Sequence, residues 1–146
     1  MKKTSISFCI YGLFILFLSC SESNSVSVIS NCDKQSEIID ETSYNLVNTS
    51  NYVITGIVLN EDCLDVTIGS SGCDANNWTM NLFSTNNFSN TNPIQRNIKV
   101  ELVNQEACAA AFQKTVSFDL TPLRVSTQTQ IIFNIDGWNE QIVYNY

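Results

Sequence analysis

The chain contains no histidine, so nucleophile–base arrangements of the Ser-His-Asp or Cys-His kind, and metal sites built on imidazole, have nothing to start from. A Ser-Lys dyad could draw on Lys34, Lys99 or Lys114, but no flanking pattern singles one out. Paired carboxylates for glycoside hydrolysis must be held ~5 to 9 Å apart across a cleft, and a compact domain of this length has little room for one. Binding chemistry is better represented. Glu61, Asp62 and Asp65, with Asp74, Asn76 and Asn77 just after Cys73, offer the oxygen ligands that Ca2+ collects, although their spacing matches no EF-hand loop. The same residues are also ordinary turn formers. Trp78 and Trp138 are aromatic faces of the kind that stack on sugar rings. Trp78 opens an alternating strand and reads as core, whereas Trp138 falls in an expected hairpin loop and is the candidate ligand-binding residue.

A second kind of chemistry is covalent. Lys2 and Lys3 precede an apolar run from Ile6 to Leu18, the layout of an export signal. At ~1.5 Å rise per residue that run covers roughly 20 Å of a hydrocarbon layer ~30 Å thick, too little for a permanent span. It ends in Leu16-Phe17-Leu18-Ser19-Cys20, which resembles the lipobox of bacterial lipoproteins, with Phe17 standing where leucine is usual. The resemblance implies cleavage after Ser19 and acylation of the Cys20 thiol. Several acyl chains, each buried CH2 worth ~0.8 kcal/mol, anchor a protein durably.

On this reading residues 1–19 are a cleaved signal, 20–31 a lipidated and flexible Ser/Asn-rich tether, and 32–146 the folded domain. Losing Lys2 and Lys3 from seven basic residues leaves five against fourteen acids, a formal balance of −9. That charge argues against nucleic acid as a partner and against electrostatic adhesion to anionic lipid. With Cys9 in the signal and Cys20 acylated, Cys32, Cys63, Cys73 and Cys108 remain, an even set suited to an oxidising compartment. They allow three connectivities, and Cys32–Cys63 with Cys73–Cys108 is the preferred one, tying the N-terminal segment to the sheet.

The elements that must carry these residues follow a period of two. The apolar run Tyr52–Leu59 predicts a strand buried on both faces, with Gly56 marking a bulge. Alternation continues at Leu64/Val66/Ile68, Trp78/Met80/Leu82, Ile98/Val100/Leu102, Val116/Phe118/Leu120, Ile131/Phe133/Ile135 and Ile142/Tyr144/Tyr146. In the last hairpin, a two-residue turn at Asp136-Gly137 would set Phe133 against Glu140. A four-residue loop instead pairs Phe133 with Ile142 and Ile131 with Tyr144, and is preferred. Glu106–Gln113, rich in alanine, predicts at most one helical turn. About seven strands joined by short turns predict an all-β, antiparallel β-sandwich. An immunoglobulin-like topology is the prior, and a small barrel the alternative.

The run Cys63-Leu-Asp-Val-Thr-Ile-Gly-Ser-Ser-Gly-Cys73-Asp, then Trp78, then Ala107-Cys108 and Lys114-Thr-Val-Ser-Phe-Asp-Leu-Thr-Pro-Leu123, resembles a set of small lipoproteins of Bacteroidetes, especially flavobacteria, from about residue 52 onward. The resemblance implies an exported β-domain whose cysteines recur with these strands, and no activity. The expected function is a membrane-anchored lipoprotein of the bacterial cell envelope, placed at the outer membrane. It acts as a non-enzymatic binding or accessory module for an envelope protein or a glycan, without a cofactor unless calcium binds. An envelope enzyme or enzyme inhibitor with an acidic loop site is the alternative.

Overall fold

The computed structural model describes residues 31–146. The expected signal segment, the acylation site Cys20 and the tether up to residue 30 lie outside the described residues. In chain order the elements are β1 (Lys34–Gln35), β2 (Glu37–Ile38), α1 (Glu41–Leu46), β3 (Val53–Asn60), β4 (Cys63–Gly72), β5 (Thr79–Ser84), β6 (Ile94–Val103), β7 (Ala110–Asp119), β8 (Gln130–Ile135) and β9 (Ile142–Asn145), with one 3-10 turn at Thr121–Leu123. They form two sheets, ordered β1-β7-β4-β3 and β2-β5-β6-β8-β9. The molecule is an all-β sandwich.

Alternation explains the core. Leu64, Val66 and Ile68 of β4 and Val116 and Phe118 of β7 supply one layer, and Met80, Leu82, Ile98, Val100, Leu102, Ile131, Phe133 and Tyr144 the other. Most are fully buried, and each such apolar side chain contributes about 1.5–3 kcal/mol. Phe133 pairs with Ile142 and Ile131 with Tyr144, the register that hydrophobic matching selects. The β8–β9 ladder stops there, whereas the other edge of β8 is laddered to β6 from Ile94↔Ile131 through Asn97↔Asn134 to Ile98↔Ile135.

Several expectations are corrected. The pairing is not uniformly antiparallel: β1–β7, β2–β5 and β6–β8 run parallel. The β6–β8 pair is parallel because the chain between them crosses to the opposite sheet as β7 and returns. Two separate sheets likewise set aside the barrel. Strand β3 is buried on one face only, with Val53 63% and Val58 55% exposed, because among the described residues nothing packs on the outer face of this edge strand. Its register shifts between Ile54 and Gly56, and this bulge returns Ile57 and Leu59 to the inward face already taken by Ile54. The alanine run, expected to hold at most one helical turn, holds none. Residues 110–119 pair with β4 along its whole length, from Gly72↔Ala110 to Cys63↔Asp119, and ten ladder positions outweigh a helix preference of under 1 kcal/mol per residue.

The short strands β1 and β2 are one strap. It pairs first with β7 in one sheet and then with β5 in the other, crossing at buried Ser36, whose N–H and hydroxyl both donate to the Asp119 carbonyl. Disulfides Cys32–Cys63 and Cys73–Cys108 form as preferred, with Cα separations of 5.5 and 4.9 Å. They clamp β4 at both ends.

Candidate functional site

Helix α1 is six residues long, too short to persist without tertiary support. Its start is fixed by Asp40, whose carboxylate accepts from the backbone N–H of Ser43 at 3.0 Å and the Ser43 hydroxyl at 2.6 Å. Those bonds favour the charged form and hold the Asp40 carboxyl below its ordinary value. The helix is then fastened to the outer face of the five-stranded sheet. Lys99 of β6 lies 4.7 Å from the Tyr44 ring centroid and donates to the Tyr44 carbonyl at 3.2 Å. The Asn87 amide donates to Glu41 at 2.9 Å, and Thr49 donates to Asp136 at 2.9 Å.

Between α1 and the sheet lie two adjoining depressions of about 360 and 240 Å3. Tyr44, Asn97 and Asn134 line both; Lys99 and Asp136 line the larger, and Phe88 and Gln95 the smaller. The floor is a network of amides. Asn134 Nδ2 donates to Gln95 Oε1 at 3.1 Å and to Asn97 Oδ1 at 3.4 Å, while Asn134 Oδ1 accepts from Gln141 at 3.0 Å. Gln95 Nε2, Asn97 Nδ2 and the Tyr44 hydroxyl make no side-chain bond among the described residues. Burial, with Asp136 and Glu41 nearby, pushes the Tyr44 phenol up to about 12, so it is a donor at neutral pH. Phe88 is 41% exposed, backed by the Arg96 guanidinium 5.6 Å from its centroid.

The residues singled out from the sequence are dispersed. Asp62 accepts from Tyr144 at 2.7 Å and pairs with Arg124, Asp65 accepts from Asn60, and Asp74 accepts from Asn76. Glu61 sits in the β3–β4 turn with φ of 52°. Among the described residues no three acidic, cysteine or histidine side chains group in a way that could hold a metal. Glu61, Asp62, Asp65 and Asp74, named as calcium ligands from the sequence, are thus not gathered into one group, and the last three are each bonded to a different partner. Trp78 is core, 2% exposed. Trp138, the candidate ligand-binding residue of the hairpin loop, packs against the core with its indole nitrogen buried.

The groove residues went unread in the sequence, though two signals were present. Asp40 followed three positions later by Ser43 is a helix cap, and the outward positions of β6 and β8 carry the amides Gln95, Asn97 and Asn134 where charges are usual. Buried Arg96, 3% exposed, was also missed. It occupies an inward position of β6 between Ile94 and Ile98, and burial lowers its pKa.

No family model matches the chain, and no curated protein matches it. Among the solved structures that share its fold are two from Bacteroides species. One is a protein of unknown function, DUF1344, from Bacteroides vulgatus: 16% identity, TM-score 0.53, with 77% of this chain and 56% of that one covered. The other is a NigD-like immunity protein from Bacteroides caccae: 11% identity, TM-score 0.55, with 77% of this chain and 62% of that one covered. The matched region thus spans about three-fifths of either neighbour, and at these identities the likeness concerns the fold alone.

Proposed function

We propose that this protein is an exported lipoprotein of the bacterial cell envelope, held at the outer membrane by acyl chains on Cys20, and that it works as a non-enzymatic binding module. It belongs on this reading with the small lipoproteins of Bacteroidetes. The observation that carries the binding role is the groove beneath α1: a concave, polar surface whose ionisable groups are each committed to holding the fold, Glu41 to Asn87, Asp136 to Thr49 and Lys99 to the Tyr44 carbonyl. Such a surface positions a ligand and offers no free base beside a nucleophile. The two disulfides suit an oxidising compartment, and one fold neighbour is described as an immunity protein, a description compatible with a non-enzymatic role.

The test uses the whole chain in its native host, with a photo-crosslinking side chain at Asn97 or at Val58, the latter on the outer face of the other sheet. A discrete adduct from Asn97 and none from Val58 is expected. Equal labelling, or none from Asn97, removes the groove as the binding surface. In the same cells, a Cys20→Ala variant is expected to leave the membrane on carbonate washing.

A further inference from the structure

We infer that the groove takes an uncharged oligosaccharide; the inference rests on the binding reading above and names its ligand class. A sugar hydroxyl is at once donor and acceptor, and needs both kinds of partner within a short reach. The amide floor supplies them in a fixed array. Asn134 ties Gln95 and Asn97 by their oxygens, which leaves their N–H2 groups unbonded among the described residues, while the Tyr44 hydroxyl adds another donor and Asp136 and Glu41, which hold Thr49 and Asn87 through one carboxylate oxygen each, keep the other as an acceptor on the walls. Because Asn97 and Asn134 are register partners on neighbouring strands, the amides are spaced by the sheet itself. Little side-chain freedom is left to lose on binding.

The rest of the groove fits the same class. Phe88, 41% exposed with the Arg96 guanidinium over its ring, lines the smaller depression, and a flat aromatic beside a polar floor suits the C–H face of a sugar ring. A protein partner would instead need large apolar anchors entering desolvated pockets, whereas Ile98 and Ile135, the aliphatic residues of the larger depression, are buried in the core. Charge points to a neutral ligand. Lys99 stands against Glu41 and Asp136 on the lining, a balance that disfavours an anionic ligand, and the cation Arg96 is buried behind Phe88. The larger depression, about 360 Å3, falls in the ~300–1,000 Å3 range of small-ligand sites.

The test is an array of neutral oligosaccharides, acidic glycans and peptides probed with the detergent-solubilised full chain, followed by titration of the best neutral binder. Asn97→Ala and Phe88→Ala, both at exposed positions, are expected to weaken that binder at least tenfold, and Val58→Ala to leave it unchanged, all with wild-type melting curves. Undiminished affinity in both groove variants, or preference for acidic glycans, overturns the inference. A blank glycan array together with an Asn97 crosslink to a protein overturns the ligand class and leaves the binding module standing. A blank array with no Asn97 crosslink ends both.

Discussion

The indole N–H of Trp78 donates to Glu106 at 3.0 Å, and the same carboxylate oxygen accepts the backbone N–H of Cys73 at 2.7 Å. One oxygen thereby fixes the loop that follows β4. A Cβ on Gly72 would fall 2.4 Å from that oxygen and 2.8 Å from the Trp78 ring. Hydrogen bonds to charged groups contribute ~1.5–3 kcal/mol, so Glu106→Ala is expected to cost about 2 kcal/mol in urea unfolding. Gly72→Ala should destabilise too, by displacing the carboxylate. A Gly72→Ala protein as stable as wild type would show that this oxygen is not held in place.

Reducing the disulfides one at a time separates their contributions. The bridges close loops with sequence separations of 31 and 35, for which chain entropy predicts roughly 3.5–4 kcal/mol each. The Cys32→Ser/Cys63→Ser and Cys73→Ser/Cys108→Ser proteins should therefore lose similar stability. Thermal unfolding of the two double variants checks it, and a large inequality would place the difference in native packing.

Arg96 is buried among apolar neighbours. Its Nη1 donates to the Thr85 carbonyl, while its Nε has no partner among the described residues. A buried cation without a carboxylate opposes folding. Arg96→Met, which keeps the volume, is expected to raise stability by ~1 kcal/mol in denaturant unfolding, and Arg96→Ala, which leaves a void, to lower it. A destabilised Met variant would mean that the guanidinium secures the Thr85–Phe88 turn.

Alkali should unfold the domain before it ionises two of its tyrosines. Burial, with Asp136 nearby, pushes Tyr44 and Tyr52 from 10 up to about 12. A group whose pKa is raised in the folded state contributes stability in full below its unfolded value and loses it as pH rises through the folded one. Stability should fall between pH 10 and 12. Tyrosinate absorbance followed alongside circular dichroism reads this directly, and normal titration of all tyrosines in a still-folded protein would contradict it.

What the sequence made legible and what it hid divide along a physical line. Strands whose inward residues are all aliphatic, such as Leu64/Val66/Ile68, announce their faces by period alone. The Phe133–Ile142 register follows from matching apolar residues across one turn. The run Gln95-Arg96-Asn97 concealed the first half of β6, because its inward residue is a cation and its outward ones are amides. The strap of β1 and β2 is too short to show a period, and is held by pairing with strands some fifty and eighty residues away. The groove was hidden for the same reason: α1, the Phe88 turn, β6 and β8 meet only in the folded sheet.

The bridge between Cys32 and Cys63 also decides how the molecule bears force. A pull on the chain ahead of Cys32 passes through the sulfurs to the head of β4, whose ten positions are laddered to β7. The loop closed by that bridge, holding the strap, α1 and β3, is bypassed. Tension from the N-terminal side therefore loads the most extensively paired strand, and the helix that roofs the groove stays out of the load path.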